Sequence, residues 1–243
     1  MPKLKTLIEE LVTANRILAN EGIVDSFGHV SARHPERKDR YLLSRARAPE
    51  RIEASDILEF TLDGDPVDAR KAKKFALYTE RFIHGAIYQA RADVQSVVHN
   101  HSPSTIPFGI TGNKLKPLLH MCASIGHEVP LWDSHDKFGD TALLVNSMTM
   151  GRDLARKLGK GRSALMRGHG AVVAGSSIRH AVFICYYLEL NAKLQMQSMA
   201  MGRIKYLYPG EVDAVVARTG PYTLNRAWEN WCRRAGRKVM EME

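Results

Sequence analysis

Cysteine is scarce in this chain, and the few cysteines form no pattern. The 243 residues include three, Cys122, Cys185 and Cys232, which are widely separated and make no Cys-x-x-Cys pair. This number and spacing exclude the disulfide framework of a small secreted domain. They favour a cytoplasmic protein, and that is the location we expect.

Long apolar runs are missing as well. No stretch approaches the roughly 20 apolar residues that a membrane-spanning helix needs. The first residues, MPKLKTLIEELVTANRIL, alternate charged and apolar positions and lack the apolar run and cleavage site of a secretory signal. The chain also has no internal repeat and no low-complexity tract. We therefore expect no membrane partner.

Acidic residues are outnumbered, but the basic excess is not concentrated anywhere. The 35 Lys and Arg residues exceed the 26 Asp and Glu residues by nine, and they are spread from Lys3 to Lys238. Without a basic tail or a recognisable nucleic-acid motif, this distribution argues against a nucleic-acid partner. A diffuse positive field instead favours small anionic substrates.

Apolar periodicity outlines alternating helices and strands. Three- and four-residue steps predict helices, over Leu4 to Ala19, Phe75 to Ala90, Met148 to Leu158 and Ser177 to Met201. Alternating or short apolar runs predict strands, over Gly28 to His34, Tyr41 to Ser44, Ser55 to Leu62, Gln95 to His101, Ala142 to Val145, Ala164 to Met166 and Ala171 to Ala174. Because the predicted strands and helices do not alternate in regular βαβ units, we expect an α/β sandwich with a largely antiparallel sheet.

Two histidines at the end of a predicted strand are the first candidate metal ligands. His99 and His101 are two residues apart, so on a strand both side chains leave the same face and reach one ion. Pro103 ends the strand just after them, where sites usually open. The chain contains ten histidines, and a His-x-His pair alone is weak evidence of metal binding.

A third ligand has to come from elsewhere in the chain. His169 is the best candidate, because Gly168 and Gly170 let the backbone turn sharply and approach closely. Three neutral imidazoles suit zinc, manganese, iron or cobalt and leave coordination positions open. Open positions are typical of a catalytic metal rather than a structural one.

Glu80, the segment from Val97 to His101, and His169 with Gly170, in this order and at these separations, resemble the class II aldolase/adducin family. The resemblance covers roughly Leu4 to Met201. It implies an α/β/α sandwich, usually assembled as a homotetramer, with a divalent metal on the three histidines. Mn²⁺ or Zn²⁺ is the expected ion, with Fe²⁺ or Co²⁺ as alternatives. The resemblance assigns proton transfer to Glu80, placed on a helix, which fits a carboxylate beside a metal.

The extent of the resemblance also gives the expected domain organisation. We expect a catalytic domain over residues 1–201 and a C-terminal extension over residues 202–243. The extension is rich in aromatic residues, among them Trp228 and Trp231. It packs either on the same domain or on a neighbouring subunit.

The chain departs from the sugar-phosphate aldolases of this family where they bind phosphate. Their Gly-Asn pair, Thr-Gly turn and serine pair are replaced here by Gly28-His29, by the segment from Ser44 to Glu50, and by Leu77-Tyr78-Thr79 before Glu80. The neutral donors of a phosphate cradle are lost. Arg45 and Arg47 instead supply charged, planar guanidinium groups, whose paired N–H donors suit a carboxylate.

In these segments the chain is similar to family members that decarboxylate hydroxylated aromatic or pyridine dicarboxylates. The similarity implies a metal that stabilises the enolate-type anion left when CO2 departs, with Glu80 as the proton donor to carbon. The expected substrate-binding residues share a position around this centre: His29, Ser44, Arg45, Arg47 and His120. The expected partner is a small-molecule carboxylate.

Several alternatives stay open at this point. Arg45 and Arg47 could be solvated surface residues, His29 could be structural, and His84, on the same helical face as Glu80, fits a buried hydrogen-bonded role better than ligation. The same metal chemistry also serves an aldolase or epimerase with an unphosphorylated substrate, or an iron oxygenase. The adducin branch of the family offers a non-catalytic interaction module.

Overall fold

A seven-stranded sheet forms the middle layer of the computed structural model, which describes residues 4–239. Its strands are β1 (His29–Arg33), β2 (Arg40–Ser44), β3 (Ile57–Thr61), β4 (Ser96–Asn100), β5 (Leu131–Trp132), β6 (Ser163–Met166) and β7 (Gly170–Gly175). Their order across the sheet is β3-β2-β1-β4-β7-β6-β5. Among the described residues every strand pair is antiparallel except β5 with β6.

Helices cover both faces of this sheet. In chain order they are α1 (Leu4–Asn20), α2 (Ala69–Ala72), α3 (Arg81–Ala90), α4 (Ile106–Ile110), α5 (His135–Phe138), α6 (Met148–Leu158), α7 (Ile178–Met201), α8 (Pro209–Arg218) and α9 (Pro221–Arg234). Alternate residues of the central strands face opposite layers, because side chains alternate along a strand. Val98 and Val173 join the core beneath α1 and α7, whereas Val97 and Val172 join the core beneath α3 and α6. The predicted α/β/α sandwich with a largely antiparallel sheet is confirmed.

The predicted strand from Ala142 to Val145 is wrong, because this segment is irregular. Leu143 has a φ of 62°, in the left-handed region that interrupts an extended chain. The backbone groups of Leu143 and Val145 make hydrogen bonds to side chains, His169 and Glu80, rather than to a neighbouring strand. The apolar pattern indicated burial here, and Val145 is indeed buried, but burial alone does not specify a strand.

Two predicted boundaries also need correction. The helix expected from Phe75 begins at Arg81, so Glu80 is its N-cap residue and not part of the helix. The segment before Glu80 instead makes hydrogen bonds to the chain around Arg47, which keep it out of the helix. The carbonyl of Ala76 accepts from the Ala46 N–H, and the hydroxyl of Tyr78 donates to the carbonyl of Arg47. At the other predicted boundary, β4 ends at Asn100, so His101 lies one residue beyond the strand.

The C-terminal helix α9 lies against the helical layer formed by α1 and α7, whereas α8 packs against the 3₁₀ segment His120–Ile125. In α9, Trp228 and Trp231 are buried in the same core cluster as residues of α1 and α7. Arg179 of α7 joins the three helices, since it donates to Glu10 of α1 and to Asn225 of α9. The ends of the two predicted domain ranges, residues 1–3 and 240–243, lie outside the described residues. No helix in the described part of the chain is long and apolar enough to cross a membrane.

Candidate metal centre

Four potential ligand atoms converge at one end of the sheet. One ligand atom each from Glu80, His99, His101 and His169 lies within 4.8 Å of all the others. The Nε2 atom of His101 is 3.2 Å from Nε2 of His99 and 3.1 Å from Nε2 of His169. Oε2 of Glu80 is 3.3 Å from Nε2 of His99 and 3.4 Å from Nε2 of His169.

The sheet brings these residues together through two neighbouring strands. His99 is the fourth residue of β4, and the β4–β7 pairing sets it opposite Val172. His169 immediately precedes β7, so the antiparallel pairing returns it to the end of β4. The approach is close at Gly170, where a Cβ atom would lie 2.1 Å from the carbonyl oxygen of Asn100. Glycine is required there for His169 to reach His101.

The second ring nitrogen of each histidine is engaged by an oxygen. Nδ1 of His99 is 3.2 Å from the carbonyl oxygen of Ala171, and Nδ1 of His169 is 2.8 Å from that of Leu143. Nδ1 of His101 is 3.1 Å from Oδ1 of Asp25. An oxygen acceptor keeps the proton on Nδ1, which leaves the Nε2 lone pair available to a metal. Sequence reasoning gave no role to Asp25 or Leu143.

Glu80 is held as a carboxylate beside these rings. Its Oε1 accepts the backbone N–H of Val145 at 3.0 Å, which directs Oε2 toward the imidazoles. Burial alone raises the pKa of Glu80, but when His99 and His169 also carry a proton on Nε2 their charge and hydrogen bonds outweigh burial and hold the pKa well below its usual range. In turn, the pKa of His169 is raised, because the hydrogen bond to Glu80 outweighs the effect of burial.

This donor set fits a divalent metal. Three Nε2 atoms and one carboxylate oxygen converge, with neighbouring pairs 3.1–3.4 Å apart and all four atoms within 4.8 Å of one another. Nitrogen and carboxylate donors of this kind suit Zn²⁺, Mn²⁺, Fe²⁺ or Co²⁺.

A cavity of about 470 Å³ opens beside the four residues. Its polar lining includes Glu80, His101, His169 and Arg47. The remaining lining residues are largely apolar or small: Ser26, Phe27, His29, Ala46, Ala48, Leu77, Tyr78, Thr79 and Leu144. This volume is that of a small-molecule site.

The two predicted arginine anchors are held by one buried carboxylate. Asp56 is 3% exposed, and its two oxygens accept from Nε of Arg45 and from Nη1 of Arg47 at 2.7 Å. Arg45 also lies over the ring of Phe75 and is absent from the cavity lining. Of the two, only Arg47 is among the residues that line the cavity.

The other predicted substrate-binding residues lie in different surroundings. His29 lines the cavity, and the β1–β4 pairing sets it directly opposite His99. Ser44, at the end of β2, is buried and is not among the cavity-lining residues. His120 begins a 3₁₀ turn, is exposed, and is likewise absent from the lining.

The sequence-based prediction of a buried, hydrogen-bonded role for His84 is confirmed, but the chain of buried polar groups that it joins behind His29 was not predicted. Nδ1 of His29 is 2.7 Å from Nε2 of His84, and Nδ1 of His84 is 2.6 Å from Oγ of Ser31. Burial lowers the pKa of both histidines, to about 3 for His84, so both rings are neutral. His84 and Tyr88 are four residues apart on α3, and this spacing was the available signal that they share a face.

The family is shown by comparison with known proteins. The model described as "Class II Aldolase and Adducin N-terminal domain" matches residues 9–196. This chain belongs to the class II aldolase and adducin family. An aldolase II superfamily protein from Pseudomonas syringae shares the fold with a TM-score of 0.79, at 22% identity over 97% of this chain and 94% of that chain.

Two relatives are similar over nearly their whole lengths. The chain is 33% identical to Decarboxylase tropJ of Talaromyces stipitatus, over 93% of this chain and 92% of the relative. It is 26% identical to the 3,4-dihydroxyphthalate decarboxylase of Arthrobacter keyseri, over 91% of each chain. The predicted resemblance to the aromatic decarboxylases of the family is confirmed, and the chain is a lyase.

Proposed function

We propose that this chain is a metal-dependent carboxy-lyase that removes CO2 from a hydroxylated aromatic or pyridine dicarboxylate. The observation that carries the proposal is the cavity beside the four candidate ligands. Its lining combines imidazole and carboxylate groups of the cluster, the guanidinium of Arg47 and several apolar side chains. A flat ring with acidic substituents matches this combination of groups.

The apolar walls suit an aromatic ring. Phe27, Leu77 and Leu144 line the cavity together with the small side chains of Ala46 and Ala48. Phe27 is 69% exposed, so a ring that packs against it removes apolar surface from water. A sugar phosphate would leave these walls without an apolar partner.

Arg47 is the residue we assign to a second substrate carboxylate. One of its terminal nitrogens is held by Asp56, which fixes the direction of the guanidinium. The planar fork carries further N–H donors, which suit a carboxylate at the far end of the ring. Arg45 shares the same Asp56 and supports this arrangement from outside the cavity.

The three histidines would hold the metal, which when bound supplies a positive charge that stabilises the anion left on the substrate after loss of CO2. Glu80 transfers the proton. As a carboxylate with Oε1 fixed by Val145, it accepts the proton of the ring hydroxyl at Oε2. It returns that proton to the ring carbon from which CO2 has departed, so the proton count balances within one turnover.

The test is CO2 release from defined acids. We expect protein loaded with Mn²⁺ or Zn²⁺ to release one CO2 per molecule from 3,4-dihydroxyphthalate or another hydroxylated aromatic or pyridine dicarboxylate. Removal of the metal by a chelator should abolish the release, and added metal should restore it. No CO2 from any such acid, with cleavage of a hydroxy-keto acid instead, would show an aldolase. Substrate-dependent oxygen consumption would show an oxygenase.

Metal content tests the proposed ligands separately. We expect His99→Ala to lose stoichiometric metal, because one of three nitrogen donors disappears. His127→Ala is the matched control, since His127 is an exposed histidine paired with Asp213 and lies outside the cavity lining. Unchanged metal content in His99→Ala would contradict the assignment and favour a non-catalytic module.

A further inference from the structure

Four buried side chains form one continuous hydrogen-bonded path from the cavity into the core under α3. The path runs from His29 to His84 at 2.7 Å, from His84 to Ser31 at 2.6 Å, and from Ser31 to the hydroxyl of Tyr88 at 2.8 Å. His29, His84, Ser31 and Tyr88 are each at most 2% exposed. Water therefore does not compete for these groups, and each proton on the path needs a protein acceptor.

The direction in which the hydrogen bonds are donated along the path is set by Tyr88, the residue at its inner end. Within residues 4–239, Oγ of Ser31 is the one hydrogen-bond acceptor found for the hydroxyl proton of Tyr88. If Ser31 donated to Tyr88, the tyrosine proton would be buried without an acceptor, which is costly. Tyr88 therefore donates to Ser31.

The hydroxyl proton of Ser31 then needs an acceptor of its own. Its two remaining contacts are Nδ1 of His84 at 2.6 Å and the carbonyl oxygen of Val97 at 3.5 Å. The contact with the carbonyl is at the limit of a hydrogen bond, whereas the contact with His84 is short. Ser31 therefore donates to Nδ1 of His84, whose proton must be on Nε2.

At the cavity end of the path, Nε2–H of His84 donates to Nδ1 of His29. Nδ1 of His29 therefore carries no proton, so the ring is neutral and its single proton lies on Nε2. His29 lines the cavity, and Nδ1 is already occupied by His84. Nε2–H is thus the ring group left for a bound molecule.

We propose that Tyr88, Ser31 and His84 are positioning residues that fix His29 as a neutral hydrogen-bond donor to a substrate oxygen that carries no proton. This inference rests on the proposed function for the nature of that oxygen, a substrate carboxylate or a deprotonated ring hydroxyl. An ammonium group at the same position has donors only and would meet a second donor, so it is disfavoured. The path therefore favours an acceptor oxygen without placing a charge on His29.

The tautomer of His29 can be measured without any substrate. Long-range proton–nitrogen NMR on protein labelled at its histidines distinguishes protonated from unprotonated ring nitrogens. His29→Gln, which removes one set of resonances, assigns the signals. We expect metal-free and zinc-loaded protein to show His29 protonated on Nε2. Protonation on Nδ1, or on both nitrogens near neutral pH, would overturn the proposal.

Tyr88→Phe tests how the tautomer is set. Without the tyrosine proton, Ser31 is free to accept from His84, so we expect a mixture of both His29 tautomers. Tyr41→Phe is the matched control, because the Tyr41 ring lies 5.6 Å from that of Tyr88 but its hydroxyl donates to the carbonyl of Arg81. An unchanged single tautomer in Tyr88→Phe protein that melts near the wild-type temperature would overturn the role of Tyr88.

The catalytic consequence is measured on the acid that releases CO2. For Tyr88→Phe we expect KM to rise about twofold with unchanged metal affinity, because in an even mixture only half of the His29 rings carry the proton on Nε2. A fall in kcat alone would contradict a binding role for His29. If no acid releases CO2 but His29 carries its proton on Nε2, the proposed function fails and the positioning inference stands.

Discussion

Val145 donates its backbone N–H to Oε1 of Glu80 at 3.0 Å, and two residues earlier the carbonyl of Leu143 accepts from Nδ1 of His169 at 2.8 Å. One short irregular segment therefore orients both the carboxylate and one imidazole of the candidate metal centre. The segment achieves this with Leu143 at a φ of 62°. For a residue other than glycine this conformation costs roughly 1–2 kcal/mol.

Substitutions at Leu143 should separate the backbone conformation from the side chain. Leu143→Gly adopts a positive φ freely, so we expect metal affinity close to that of the wild type. Leu143→Val places a β-branched residue in the left-handed region and should lower the free energy of unfolding by about 1–3 kcal/mol. Denaturant unfolding and a chelator competition titration measure the two effects. Equal behaviour of the two variants would contradict a role for the conformation of Leu143.

Glu80→Gln should separate proton transfer from metal binding. The amide keeps the size of the side chain and can still accept from Val145, but it cannot take up a proton at neutral pH. We expect kcat for CO2 release to fall by about 10²–10⁴-fold while the three histidines retain most of the metal. Steady-state kinetics and metal analysis of the same sample check this. A variant with near-normal kcat would remove Glu80 from the proposed reaction.

Asp25→Asn should weaken metal binding through His101. Asp25 accepts from Nδ1 of His101 at 3.1 Å, and loss of its charge makes Nε2 a poorer donor to a metal. We expect the dissociation constant for zinc to rise about tenfold. The matched control is Asp213→Asn, because Asp213 contacts the exposed His127 at 2.9 Å away from the site. The prediction fails if both variants bind zinc like the wild type.

Acid should destabilise the fold through His84. Burial, together with the electrostatic interaction with His99, lowers the pKa of His84 from 6.5 to about 3. The unfolded chain takes up this proton at a higher pH than the folded chain, so the stabilisation is complete above about pH 6.5 and is lost as the pH falls toward 3.

We expect His84 alone to contribute a loss of roughly 2 kcal/mol in the free energy of unfolding between about pH 6.5 and about pH 5. Denaturant unfolding of metal-free protein at the two pH values gives this difference. It should be smaller in His84→Gln by that amount and unchanged in His135→Gln, a change at an exposed histidine. The same loss in all three proteins would assign the acid sensitivity to other groups.

The periodicity of the sequence was enough to predict most of the fold. The helix Met148–Leu158 has the predicted bounds, and α1 ends one residue beyond its predicted end. Such elements are predictable because their apolar residues recur with the period of a helix or strand. The short strand Leu131–Trp132 and the helices α8 and α9 were not predicted, since two residues carry no period and the tail was described only by its aromatic residues.

The sequence by itself determined the family, the layered α/β/α architecture, and the histidines and glutamate that are candidates for the metal centre. Only the tertiary structure decided which groups form hydrogen bonds and ion pairs with the candidate site residues. It pairs both Arg45 and Arg47 with Asp56, puts Leu143 and Val145 against the candidate ligands, and joins His29 to Tyr88. Asp56 lies 11 and 9 residues from its two arginines, whereas the other partners are 26 or more residues apart. Buried polar groups among them need these hydrogen bonds. Local patterns record which face of an element is buried, but not which polar group it meets there.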